Sequence, residues 1–193
     1  MKTDKFKVTF SSWENIKMET AKFYFDEAEK RLKETIVTAK NITDSTHKIV
    51  TILIPMFLLI FGYIITTLSN VSNAESKINF PLLLTSVSIC LILIRALYLS
   101  VQILNPRTTM TIGIMPKKLI IPAPINRHGK TDIQLLDILL GACENFQERI
   151  DINIDSNKRR TDMQHQIYRL ISIFIPLISV IVFIVSSAII HIS

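Results

Sequence analysis

The groups in this chain best suited to chemistry are cations, and they fall in three places. Arg95 stands alone inside an apolar run, flanked by Leu93-Ile94 and Ala96-Leu97. Lys117, Lys118, Arg127, His128 and Lys130 occupy a proline-rich stretch, with no acidic residue between Arg107 and Asp132. Lys158, Arg159 and Arg160 are consecutive and precede the last apolar run by about ten residues. Clustered bases on loop backbone can cradle phosphate groups, so the 117–130 set is a candidate ligand site. Juxtamembrane bases such as 158–160 ordinarily answer anionic lipid and enforce topology, with phosphate binding or partner contact as the alternatives. Arginine at bilayer depth costs about 2.5–3.5 kcal/mol on insertion scales, so Arg95 must snorkel to an interface or find water, an anion or a partner. Ser172, Ser179 and Ser186 are spaced by seven on one face of the last run. They read either as a packed helix contact or, with Arg95, as the lining or gate of a pore.

Nothing in the sequence reads as a catalytic constellation. His47, His128, His165 and His191 are dispersed, and none has a second ligand at zinc spacing. Cys90 and Cys143 fall in an apolar run and a polar segment, which argues against a disulfide. There is no P-loop, dinucleotide fingerprint or nucleophile elbow. No acid–base pair falls within an apolar run. The expectation is a protein that is not an enzyme and uses no cofactor or metal. The 117–130 stretch also lacks aromatic residues, so recognition of a base would need Phe6, Phe10 or Trp13 for stacking.

The elements that must position these residues follow from hydropathy. Of 193 residues, 49% are hydrophobic, and most of that excess lies in Ile49–Leu68, Phe80–Leu104 and Leu170–Ile190. Each run is long enough to cross a ~30 Å hydrocarbon core as a helix. The fold expected is an all-α membrane protein: three transmembrane helices, two long cytosolic helical extensions, and a short irregular or β-like insert. Residues 1–48 form a cytosolic arm and amphipathic helix, 49–104 hold spans 49–68 and 80–104, 105–169 carry the basic insert and a long helix, and 170–193 the last span with a short outer tail. Residues 1–48 hold ten Lys/Arg and residues 105–169 hold ten, whereas the 69–79 loop has only Lys77. The positive-inside rule then places the N-terminus in the cytoplasm and the C-terminus outside. The expected location is the bacterial inner membrane.

Ser11-Ser12-Trp13-Glu14 and Thr131-Asp132-Ile133-Gln134 both have the form of capping boxes. After the first, Met18, Ala21, Phe25, Ala28, Leu32, Thr35 and Ala39 recur at alternating spacings of three and four, a heptad seam. Asp26–Lys30, Glu27–Arg31 and Glu29–Lys33 are acid-to-base pairs at i,i+4 on the other face. After the second, Leu136, Leu139, Cys143, Phe146 and Ile150 form a similar stripe, which Ile154 would extend. Such stripes suit packing on each other or across a symmetric oligomer. Asn105-Pro106-Arg107 should end the second membrane helix. The prolines and glycines of 108–130 exclude a long helix there, and Thr108–Ile114 and Leu119–Ile121 read as short strands.

The arrangement resembles a known group. A polar helix leads into a span, a second span ends in Asn105-Pro106-Arg107, and a proline-rich loop leads to a helix with Glu144–Asn157 and Lys158–Arg160 that enters the last span. This is similar to the small transmembrane effectors of bacterial anti-phage systems built around nucleotidyltransferases or cyclases, of the Hailong, Pycsar and CBASS types. The resemblance covers roughly Phe23–Ser187 and is one of layout. It implies an oligomeric membrane effector of antiviral defence, an ion channel or pore gated from the cytosol by a nucleotide. In a Hailong-like arrangement the ligand would be a single-stranded DNA oligomer that holds the channel shut. The expected partners are the lipid bilayer, further copies of the chain as a tetramer, and a ligand made by a partner nucleotidyltransferase. The alternative is a non-conducting membrane adaptor that recruits a partner through its cytosolic coiled-coil helices, with Arg95 only snorkelling. A holin-like lysis protein and an intramembrane enzyme fit less well.

Overall fold

A computed structural model describes residues 16–69, 76–105 and 131–192. All of these are helical except Ile16, Lys17 and Asn105, and no strand occurs among them. Helix α1 spans Met18–Ser69, α2 spans Ser76–Leu104 and α3 spans Thr131–Arg169. A π-helical turn, Leu170–Phe174, joins α3 to α4, Ile175–Ile192. The expected strands at Thr108–Ile114 and Leu119–Ile121 lie outside the described residues. α2 stops where the Asn105-Pro106 pair requires, with the Asn105 N–H donating to Val101 O at 2.8 Å. α3 opens at Thr131, where the second capping box begins. Pro55 falls inside α1, which continues through it to Ser69.

The π-turn has a visible cause. Pro176 has no N–H for the carbonyl four residues back, and its ring would crowd that carbonyl in a regular helix. Widening the preceding turn removes the conflict: the Ile175 N–H bonds to Leu170 O, five residues back.

The chain divides into two compact units. The first takes α1 as far as Ile36 and α3 as far as Asn153. Its core is Leu32, Phe146 and Ile150, with Phe25, Ala28 and Ile36 packed around them. The Phe25 and Phe146 rings lie 5.3 Å apart between centroids, and Leu32 is fully buried. Asn153 Nδ2 donates to Thr35 Oγ1 at 3.1 Å, a pairing 118 residues apart in sequence. On the solvent face Glu29 and Lys33 form an ion pair at 2.8 Å. Thus the two amphipathic stripes bury each other within one chain.

The second unit takes the rest of α1, α2, the rest of α3, the π-turn and α4. Its core joins Ile42, Ile49 and Leu53 of α1 to Leu93, Ala96, Leu99 and Ile103 of α2 and Ile167 of α3. Leu170, Ile171 and Ile175 pack against this cluster from the π-turn and α4. Three helices are long and apolar enough to cross a membrane, and the apolar windows of α1 and of the α3–α4 rod are only 11% and 6% buried. Leu59, Phe183, Leu91 and Val101 are each more than 60% exposed. An outer surface of this kind suits a hydrocarbon solvent, and the chain is a membrane protein by this criterion.

Two outcomes follow. Leu32→Ala should cost about 2–5 kcal/mol by leaving a cavity against Phe146 and Ile150. Hydrogen exchange should then accelerate in the first unit's stretches of α1 and α3, and unchanged rates would contradict this packing. Cys143 is half-buried, and desolvation, then the neighbouring Glu144 charge, push its thiol above the ordinary range. Its alkylation in Cys90→Ala protein should rise with pH along a curve displaced above that of a free thiol. Any stability from the shift is complete below the free thiol's pKa and fades as pH rises through the folded value.

Candidate functional site

The heptad seam of α1 does not end with its polar part. It continues through Ile42, Thr46, Ile49 and Leu53, all buried at the same three-four spacing. On α3 the buried positions after Ile150 are Asn153, Asn157 and Arg160, and Ile167 follows at the same periodicity. Ile154 is 50% exposed, so the stripe does not run through it as expected from hydrophobicity alone. A spacing of three rather than four after Ile150 keeps the seam on one face, and the residue it selects is asparagine.

Within the second unit this produces a repeated hydrogen-bond relay. Arg160 Nη2 donates to Thr43 Oγ1 at 2.5 Å, and Thr43 Oγ1 donates to Ala39 O at 3.0 Å. Arg160 Nη1 also points to Ala39 O, at 3.4 Å. One turn further, Gln164 Nε2 reaches Thr46 Oγ1 at 3.4 Å, and Thr46 Oγ1 donates to Ile42 O at 2.7 Å. Each threonine accepts from α3 and passes its own proton to a carbonyl one turn earlier on α1. The sequence offsets are 117 and 118, so these stretches of α1 and α3 run parallel. Arg160 is 7% exposed and Thr46 is fully buried. Their hydrogen bonds offset desolvation that would otherwise cost several kcal/mol for a cation.

The structure therefore separates the basic triplet. Lys158 and Arg159 are exposed. Arg160 points inward and is held by α1. The notion of three equivalent bases is replaced by two surface cations and one internal clasp, because successive helical residues diverge by ~100°.

Arg95 lies on the outer face of α2, exposed, with its Cζ 5.6 Å from the centroid of the Tyr98 ring. The flanking Leu93 and Ala96 are both fully buried in the core. Arg95 is therefore directed away from the chain's own helices. Ser172 is exposed in the π-turn, and Ser179 is half-buried with Oγ donating to Ile175 O at 2.8 Å. The side chain of Ser186 and all of Lys117, Lys118, Arg127, His128 and Lys130 lie outside the described residues. Back-bonding to the carbonyl one turn earlier also occupies Thr51, Thr66, Ser86, Ser88 and Ser100, which reconciles these hydroxyls with an apolar setting. Among the described residues no group of three His, Cys, Asp or Glu is placed to hold a metal ion.

Sequence reasoning missed Asn153, Gln164, Thr43 and Thr46. The signal was present as continued three-four spacing, but the seam was followed by hydrophobicity, and these members are polar.

If the clasp couples the helices, Arg160→Met and Thr43→Val should each destabilise the protein, and the double variant should show about 1–3 kcal/mol of non-additivity. Denaturation in detergent micelles measures this; simple additivity would show that the contact carries no coupling. Lys158→Ala and Arg159→Ala should each change stability by less than about 0.5 kcal/mol.

Comparison with protein-family models, curated proteins and solved structures finds no match to this chain.

Proposed function

We propose that the protein is a multi-pass inner-membrane effector of anti-phage defence, assembled from several copies into an ion channel. A nucleotide or single-stranded DNA oligomer from a partner nucleotidyltransferase sets its gate from the cytosolic side. The observation that carries the channel reading is Arg95, exposed on α2 within a window long enough to span a bilayer. An isolated cation facing hydrocarbon is expensive, and an assembly that supplies water or polar neighbours removes that cost. The defence role and the ligand class rest on the resemblance in layout and on the excess of bases in 105–169.

Charge distribution supports the orientation, with the polar parts of α1 and α3 in the cytosol. Lys158 and Arg159 are exposed there, and Lys117, Lys118, Arg127, His128 and Lys130 complete the ligand-binding set in this reading. Arg160 contributes by fixing α3 to α1. The adaptor reading is less favoured for a specific reason. Its recruiting surface would be the apolar stripes, yet Leu32, Phe146 and Ile150 are already buried against one another within the chain.

The test is ion flux through liposomes containing the purified protein, with and without nucleotides and short DNA oligomers. A ligand-dependent change in flux is expected, and its direction gives the sign of control. Binding should weaken steeply with salt, because phosphate contacts release counterions. An oligomeric, correctly inserted protein that passes no ions under any ligand would overturn the channel reading.

A further inference from the structure

α2 carries a second seam, turned about 120° around the helix from its core face. The core side is Ile89, Leu93, Ala96, Leu99 and Ile103. The other side reads Leu84, Ser88, Leu91, Arg95, Tyr98 and Gln102, again alternating four and three. Leu91 is 63% exposed and Tyr98 53% exposed. Ser88 and Gln102 are half-buried and Arg95 is exposed. Three polar side chains thus recur at a spacing of seven, about 10.5 Å apart along the axis, over ~21 Å of a ~30 Å hydrocarbon thickness.

Snorkelling does not account for this face. The Arg95 guanidinium rests over the Tyr98 ring, and Tyr98 is six residues short of Leu104, the end of the apolar window. Six residues correspond to about 9 Å of helix, so the charge remains at apolar depth. Its aromatic neighbour offsets only part of the cost of a charge at that depth. Gln102, one heptad further along the same face, has no reason to accompany a snorkelling arginine, whereas Ser88, back-bonded to Leu84 O, is at home in either setting. A wetted surface explains Arg95 and Gln102 and accommodates Ser88.

We infer that the Ser88–Arg95–Gln102 face of α2 lines an aqueous path between copies of this chain, and that the path passes small inorganic anions. This rests on the channel reading and adds to it which helix face is wet and which sign of ion crosses. The guanidinium is a fixed positive charge at the narrow depth of the path, where low-dielectric walls strengthen its field; cations are repelled and anions stabilised. The amide of Gln102 offers donors nearer the Leu104 end, and Ser88 Oγ, which donates its proton to Leu84 O at 2.9 Å, leaves lone pairs for water nearer the other.

Two measurements on the full-length protein test this. In Cys90→Ala/Cys143→Ala protein in membranes, Ser88→Cys and Gln102→Cys should react at least ten times faster with a charged, water-soluble thiosulfonate than Val101→Cys, which is exposed off the stripe. Equal rates at all three positions overturn the wetted face. In liposomes under a potassium chloride gradient, the reversal potential should lie toward that of chloride, and Arg95→Glu should move it toward that of potassium. Cation selectivity in the unaltered protein, or a reversal potential indifferent to Arg95→Glu, overturns the anion path. Flux with an unreactive stripe sinks this inference and leaves the channel; absence of flux under every ligand condition sinks both.

Discussion

The parallel pairing of α1 with α3 depends on polar side chains that are buried and bonded. Hydrophobic seams tolerate sliding by a heptad, because one leucine packs much like another seven residues away. A donor aimed at a particular threonine does not. Arg160 on Thr43 and Gln164 on Thr46 hold the second unit at offsets of 117 and 118. Asn153 on Thr35 holds the first unit at 118. This is the best-attested use of buried polar groups at seam positions: they specify register at some cost in stability. A displaced register would leave a buried cation facing apolar side chains.

The membrane-spanning character, the end of α2 and the start of α3 were legible in the sequence because they depend on local composition. α1 opens at Met18, beyond the Ser11–Glu14 box, with Ile16 and Lys17 outside the helix. Long apolar runs, a capping box at Thr131 and the Asn105-Pro106 stop each act within one or two turns. The stripes Ala21–Ala39 and Phe146–Ile150 were also legible, through their spacing. Less visible was that they pack within one chain: a heptad seam states that it needs a partner without naming it. The inward turn of Arg160 was hidden for a different reason. Beside Lys158 and Arg159 it looks like one of a set, and only the register of α3 against α1 separates it. The π-turn could have been anticipated from Pro176 inside an apolar run, since a missing N–H must be accommodated somewhere.

Arg95 and Arg160 illustrate two solutions to the same electrostatic problem. Arg160 is enclosed by its own chain and bonded through both Nη atoms to hydroxyl and carbonyl oxygens. Arg95 has a tyrosine ring and an open side. Buried cations with internal partners serve architecture, whereas one that faces outward within an apolar run is what the proposed assembly would answer. The functional reading follows from that difference rather than from the number of bases in the sequence.

The relays also make the two surfaces of the seam unequal when they part. Each of the three seam threonines on α1 keeps its bond to a carbonyl of its own helix, at 2.7–3.0 Å for Thr46, Thr35 and Thr43, whether or not α3 is present. Withdrawn from α3, that side of α1 remains self-contained. The departing side is different: Arg160 and Gln164 lose the acceptors that α1 gives them. Separation therefore costs the donors of α3 their acceptors while the α1 threonines keep theirs, and water or an anion that solvates the guanidinium lowers that cost without touching α1.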